Sequence, residues 1–123
     1  MAIIQTRKLT KTFGKIQAVR GIDLDIEKGE IFGLLGPNGA GKTTTIGMLC
    51  TTVRPTSGRG IIAGFDIARQ PTQVRRNVGI VFQDPTLDTI LTGRENLQLH
   101  ARLYGLPSSV RKVWIDQMLE LVD

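Results

Sequence analysis

The sequence predicts an α/β fold in three stretches: antiparallel β over residues 1–30, a core sheet with its loop over 31–83, and helices over 84–123. Ile22, Leu24 and Ile26 alternate with Asp23, Asp25 and Glu27, the period of a strand with one apolar face and one wet face. The runs Glu30-Ile31-Phe32-Gly33-Leu34-Leu35 and Val78-Gly79-Ile80-Val81-Phe82 are short and apolar, as buried parallel strands are. Towards the C-terminus the apolar period lengthens to that of a helix, with Val110, Val113, Trp114, Gln117, Met118, Leu121 and Val122 on one stripe.

In chain order, Phe13-Gly14-Lys15 reads as the turn between two antiparallel strands, and Lys28-Gly29-Glu30 as the turn into the first apolar run. Thr44 to Cys50 reads as a helix with Ile46, Leu49 and Cys50 on one side. Arg54 to Gly60 is a loop, Ile61 to Gly64 a short strand, and Val74-Arg75-Arg76 part of a brief helix. Thr92-Gly93-Arg94-Glu95 has capping-box spacing and opens a helix to about Tyr104, which Gly105-Leu106-Pro107 stops. A last helix begins at Ser108 or Ser109, and its apolar stripe is expected to be packing surface.

At 123 residues the chain is one domain or less, and 41% hydrophobic with 22% charged residues is an ordinary balance for a globular protein. No apolar run reaches the length of a membrane-spanning helix, and the N-terminus has no apolar h-region of a secretory signal. Cys50 is the only cysteine, which excludes an intramolecular disulfide and suits a reducing cytoplasm. The net charge of +5 raises nucleic acid as a partner, but the basic residues are scattered and one Trp and one Tyr make a poor base-stacking platform. No nucleic-acid partner is expected.

The most informative segment is Gly36-Pro37-Asn38-Gly39-Ala40-Gly41-Lys42-Thr43, which fits G-x-x-x-x-G-K-[ST], the phosphate-wrapping loop of nucleoside triphosphate sites. The glycines let the backbone approach phosphate with no Cβ in the way, so that successive N–H groups face inward. Lys42 supplies a mobile positive charge to the β- and γ-phosphates, and the Thr43 hydroxyl is placed to ligate Mg²⁺. The helix that follows adds unpaired N–H groups and the positive end of its dipole. A strand before and a helix after the loop complete the arrangement of a P-loop NTPase.

The order of features around the loop narrows the class. Leu9-Thr10-Lys11-Thr12-Phe13-Gly14, Ala18-Val19, Gly36 to Thr45, Arg54-Pro55-Thr56-Ser57-Gly58 and Val81-Phe82-Gln83-Asp84 resemble the nucleotide-binding domain of ATP-binding cassette (ABC) transporters. Phe82 to Asp88, with Leu91-Thr92-Gly93-Arg94-Glu95-Asn96-Leu97, is similar to daunorubicin-resistance-type drug exporter subunits. The resemblance implies that Phe13 stacks on adenine, with Val19 against the same base, and that Asn38 to Thr44 hold the phosphates of ATP. It implies that Thr43 and Gln83 ligate Mg²⁺, with Lys42 and Gln83 as the catalytic residues. It further implies a membrane-spanning permease contacted through the Gln83 loop and the helical stretch, a second nucleotide-binding subunit, and a place on the inner face of the membrane. Gly47 departs from the family, which often carries a long basic or polar residue there; a mid-helix glycine costs about 1 kcal/mol relative to alanine.

Hydrolysis in this family needs an apolar strand ending in Asp, then a catalytic Glu, a switch His and an LSGGQ-like signature. The 123 residues hold no apolar run ending in Asp-Glu and no Ser-Gly-Gly, and their only histidine, His100, lies in the early helical stretch. The chain therefore resembles the N-terminal half of a cassette cut inside its helical subdomain. A marginally stable or molten isolated chain with exposed apolar edges is expected. Two readings stay open: an exporter ATPase subunit, and a truncated nucleotide-binding fragment without ATP hydrolysis.

Overall fold

The structure, a computed structural model, describes residues 1–37, 39, 41–81, 84 and 87–122. The chain divides into two compact units, Met1–Val81 and Phe82–Asp123.

In the first unit, β1 (Ala2–Phe13) and β2 (Ile16–Glu27) form a long antiparallel hairpin around Gly14-Lys15, with Phe13 opposite Ile16. The alternation of Ile22, Leu24 and Ile26 with acidic residues is realised, since Asp23, Asp25 and Glu27 are all exposed. Asp25 takes a two-pronged hydrogen bond from Arg7 across the ladder at 2.8 and 3.0 Å. That hydrogen bond, with the charge behind it, holds the exposed guanidinium further protonated than usual.

β3 (Ser57–Ile62) pairs antiparallel with β1, and β4 (Phe65–Asp66) pairs with β3, giving the order β2-β1-β3-β4. Here the structure corrects the sequence reading. The strand starts within the expected loop, at Ser57, and Ala63-Gly64 is the turn out of it. Both turn residues have positive φ, 51° and 86°, the primed geometry that matches strand twist in two-residue hairpins. Ala63 is an unusual occupant of that position, so the turn carried little sequence signal.

Helix α1 (Lys42–Leu49) and helix α2 (Pro71–Arg76) accompany this sheet. Leu9, Val19, Met48, Ile62, Ile67 and Val74 form one buried cluster. The face of α1 that turns inward is Thr45 and Met48, whereas Ile46 is half exposed. Of the expected stripe of Ile46, Leu49 and Cys50, Leu49 packs against the core, Cys50 is half-buried and Ile46 turns outward. Thr45 tolerates burial because its hydroxyl donates to the Gly41 carbonyl at 2.8 Å. Partial burial raises the Cys50 thiol pKa, which keeps it a protonated, unreactive packing group.

Helix α1 ends in a paired reversal: Thr51 N–H donates to Met48 O at 3.2 Å and Thr52 N–H to Gly47 O at 2.9 Å. Thr51 sits at the left-handed position (φ 65°) that glycine usually fills, and its hydroxyl accepts from Arg75 Nε of α2 at 2.7 Å. The reversal brings Val53 back over the helix. A β-carbon on Gly47 would stand 2.9 Å from Val53 Cγ2, so the glycine is the room this turn needs. Ahead of α2, Asp66 Oδ1 accepts the N–H groups of Ala68 (2.8 Å) and Arg69 (3.0 Å), and Pro71 opens the helix.

Two expected strands are not strands. Residues 31–37 and 78–81 adopt no regular element, and Ile31, Leu35 and Val81 are almost fully exposed. Strands apolar on both faces hold only between flanking strands and covering helices, and among the described residues neither run has a ladder partner.

In the second unit, α3 (Gly93–Leu103) opens with the capping box anticipated from Thr92 and Glu95. The Glu95 N–H donates to Thr92 Oγ1 at 3.1 Å, and Glu95 Oε1 accepts from the Thr92 N–H at 3.3 Å. Asn96 was not expected to organise this start. It is buried; its amide donates to the carbonyls of Asp88 (3.0 Å) and Thr92 (3.0 Å) and accepts from the Asp88 N–H at 3.0 Å. Gly105, at φ 72°, ends the helix, and α4 (Ser108–Val122) begins at the expected serine. The buried residue of α4 is Ile115, while Val110, Val113, Leu121 and Val122 of the expected packing stripe are exposed.

Two stability measurements follow. Gly47→Ala is expected to destabilise the chain by about 1 kcal/mol in urea unfolding, because crowding of Val53 outweighs the gain in helix propensity; in a Val53→Ala background the same change is expected to become favourable. For Asp66, burial opposes ionisation, but the N–H groups of Arg69 and Ala68 and the charges of Arg59 and Arg69 outweigh it and hold the carboxyl below its usual range. A folded pKa below the unfolded one gives stability that is present above about pH 3.9 and is lost as pH falls through the lower folded value. Asp66→Asn should flatten that acid limb of the unfolding midpoint plotted against pH.

Candidate nucleotide-binding site

The glycine-rich loop ends on Gly41, which is the N-cap of α1 and has φ 88°, a left-handed conformation that only glycine adopts without strain. Its lack of a side chain does a second job. A β-carbon there would lie 2.5 Å from the Ala18 carbonyl oxygen and 3.3 Å from Val19 Cγ2, so the start of α1 packs directly on the backbone of β2.

The first helical bond of α1 runs from the Thr45 N–H to Gly41 O at 2.8 Å. The N–H groups of Lys42, Thr43 and Thr44 precede it and have no partner within the helix. No acidic residue occupies this first turn, so the positive end of the dipole is uncompensated. Lys42 Nζ donates to the Gly36 carbonyl, which folds the ammonium back over the loop. The Thr43 hydroxyl is on an exposed residue beside it, and Thr44 is half-buried.

Phe13, Ala18 and Arg20 of the hairpin line a groove of about 650 Å³ together with Gly41, Lys42 and Thr43. Phe13 is 49% exposed, which leaves ring surface open in the groove. Lys11 Nζ lies 4.9 Å from its ring centroid and also donates to the Arg54 carbonyl at 2.7 Å. An ammonium over the ring fixes one face of the aromatic by cation–π attraction, and the opposite face remains for stacking.

Of the expected site residues, Phe13, Gly39, Gly41, Lys42, Thr43 and Thr44 line this one groove. Gly36 takes part through its carbonyl, and Pro37 is exposed beside it. Asn38, Ala40 and Gln83 lie outside the described residues. Val19 is corrected: it is buried at 3% exposure in the core cluster and supports Gly41 from below, so it presents no face to a base. Ala18, Arg20 and Lys11 went unrecognised as part of the site. For Ala18, which acts through its backbone oxygen, there was no signal; for Lys11 it was the spacing of two residues from Phe13 on one strand.

A helix N-terminus preceded by a left-handed glycine, with a lysine folded over the loop and an aromatic in the same groove, defines a nucleotide-binding protein of the P-loop class. The chain belongs to the ABC transporter family, whose profile matches residues 19–123. It is 41% identical over 120 residues to the daunorubicin resistance ATP-binding protein DrrA2 of Streptomyces coeruleorubidus, covering 98% of this chain and 37% of that protein. It is 39% identical over 120 residues to the linearmycin resistance ATP-binding protein LnrL of Bacillus subtilis, covering 98% of this chain and 39% of the relative. Among solved structures, cbiO1 from Clostridium perfringens, part of an ABC transporter complex, superposes with a TM-score of 0.80 at 27% identity over 97% of this chain and 49% of its own. An ATP-binding cassette solved as a dimer with ADP and Pi gives 0.78 at 26% identity, over 95% and 56%.

The chain thus spans about two fifths of the length of these curated relatives. Domains of this family bind ATP, dimerise and act with a membrane permease. Among the described residues no helix is long and apolar enough to cross a membrane.

Gly41→Ala should separate α1 from β2. The expected outcome is a loss of about 2 kcal/mol or more in urea unfolding, since left-handed strain adds to the contact with Ala18. Nucleotide affinity measured on the folded fraction should fall with it.

Proposed function

We propose that this chain is the N-terminal part of the ATP-binding subunit of a drug or antibiotic exporter, binding MgATP to power transport by a membrane partner. The observation that carries this reading is the single groove shared by Phe13 and the Gly41–Thr43 helix start. It joins an aromatic platform to a cationic phosphate cradle. The names of the drug-resistance relatives support the exporter reading over other uses of the same cradle.

In this reading the free face of Phe13 stacks on adenine, and Lys11 holds the ring in place from the other side. The N–H groups of the loop and of Lys42, Thr43 and Thr44 take the phosphate oxygens, with Asn38 and Ala40 completing the loop. Lys42 leaves the Gly36 carbonyl for the β- and γ-phosphates, exchanging a neutral acceptor for an anionic one. The Thr43 hydroxyl is a hard oxygen donor suited to Mg²⁺, an ion that keeps several waters and binds phosphate oxygens at the same time. When bound, that ion neutralises charge developing on the transferred phosphoryl group. Gln83 adds a second ligand and orients the attacking water.

The helical stretch and the Gln83 loop meet the permease, a second nucleotide-binding subunit completes the ATP site, and the subunit lies on the inner face of the membrane. Hydrolysis belongs to the whole subunit in this reading, because these 123 residues contain no Asp-Glu-ended apolar run and no Ser-Gly-Gly sequence.

Equilibrium binding of MgATP to the 123-residue chain tests the proposal. Lys42→Ala is expected to weaken binding at least about tenfold, the scale of a lost charge-assisted contact. Phe13→Ala should weaken it about three- to tenfold, while Phe13→Tyr leaves it intact, since stacking uses the ring face. Affinity indifferent to both Lys42 and Phe13 would overturn the reading.

A further inference from the structure

The second unit carries a site with no part in the nucleotide groove. Helices α3 and α4 form an antiparallel hairpin around the Gly105 turn, and a cleft of about 330 Å³ lies along its seam. Arg94, Arg102, Arg111 and Lys112 line it, with Gln98 and Ser108 as neutral hydrogen-bonding groups. Ile115, 3% exposed, is the buried apolar member of the lining. No carboxylate lines the cleft among the described residues.

The charges follow from helical spacing. Arg94, Gln98 and Arg102 recur every fourth residue on α3, and Ser108, Arg111, Lys112 and Ile115 fall on one face of α4. Only Arg94 is matched, by Asp116 Oδ1 at 2.9 Å. Arg102, Arg111 and Lys112 form no ion pair with any described residue. Three uncompensated cations therefore converge on one concave surface. A solvated basic face would instead spread its charges over convex surface and intersperse acids.

We propose that this cleft binds a phosphoryl group. A lone carboxylate carries one charge and two oxygens, and would leave most of the cleft's charge unmatched. A phosphomonoester or diphosphate carries about two or more charges and at least three acceptor oxygens, which suits two guanidinium forks, an ammonium and a hydroxyl. The volume admits a headgroup-sized ligand. The phosphoryl group comes from a free phosphate compound or from the headgroup of an anionic lipid, and the chemistry of recognition is the same for both.

The experiment uses the full chain in a Lys42→Ala background, which removes the loop lysine from the measurement. Inorganic pyrophosphate is titrated calorimetrically, and co-sedimentation is measured with phosphatidylcholine vesicles with and without phosphatidic acid. The double variant Arg111→Gln, Lys112→Gln is expected to weaken binding of the responding probe about tenfold or more, and Arg102→Gln separately by a similar factor. Circular dichroism melts of each variant establish that the helices persist, and the two independent variants keep the test decisive if one fails to fold. Pyrophosphate binding lost with these residues supports a soluble phosphate ligand, and loss confined to phosphatidic acid vesicles supports a lipid headgroup. Binding of both probes unchanged by either variant, absence of binding to both, or a hexaglutamate peptide binding more tightly than either overturns the proposal.

Discussion

The groove depends on how closely the start of α1 approaches β2. The two backbones meet at Gly41 and Ala18, where a single added carbon would stand 2.5 Å from a carbonyl oxygen. That contact fixes two things at once. It places Lys42, Thr43 and Thr44 on the groove, and it sets the distance between them and Phe13, which lies on the strand paired with β2. Phe13 and the start of α1, far apart in sequence, thereby become walls of one groove. Val19 serves the same contact from the core side, which is why a residue expected to face the base is buried instead.

The far end of α1 is held as firmly as its start. Gly47 admits Val53 against the helix, the reversal at Thr51 satisfies the last carbonyls, and Arg75 of α2 reaches the Thr51 hydroxyl. A threonine in the left-handed region carries strain of about 1 kcal/mol or more, and its hydroxyl gives in return a cross-link that glycine could not. The helix is only eight residues long, below the length at which helices persist unaided, so tertiary anchors at both ends determine its position.

Local chemistry was legible in the sequence; pairing over distance was less so. The capping box at Thr92, the stop at Gly105, the hairpin turn at Gly14 and the wet face of β2 each follow from a few adjacent residues, and each formed as read. The family was legible for the same reason, because the string from Gly36 to Thr43 is contiguous. The start of β3 was hidden because Ser57-Gly58-Arg59-Gly60 has the composition of a loop, and it becomes a strand only by pairing with β1. The inward face of α1 was read in part: Leu49 packs on the core as expected, but Thr45, whose polarity is cancelled by the Gly41 carbonyl, gave no apolar signal. Lys11 and Ala18 act through a ring and a backbone oxygen, neither of which a residue type announces.

The two apolar runs that do not form strands separate what this stretch of chain organises alone from what it does not. β1 with β2 and β3 with β4 are hairpins closed by short turns, and β1 with β3 joins the two by antiparallel pairing across a long stretch of chain. A parallel ladder needs covering layers on both faces, and among the described residues, 31–37 and 78–81 have no ladder partner and stay largely exposed. The glycine-rich loop follows the first of these unpaired runs, yet Gly41 and the helix start that close it are held by defined contacts. The order of that helix start does not descend from a strand before the loop. It comes from behind and beneath: α1 is pinned at Gly41 by β2 and at Gly47 by the returning turn, and the loop inherits its direction from the helix it opens.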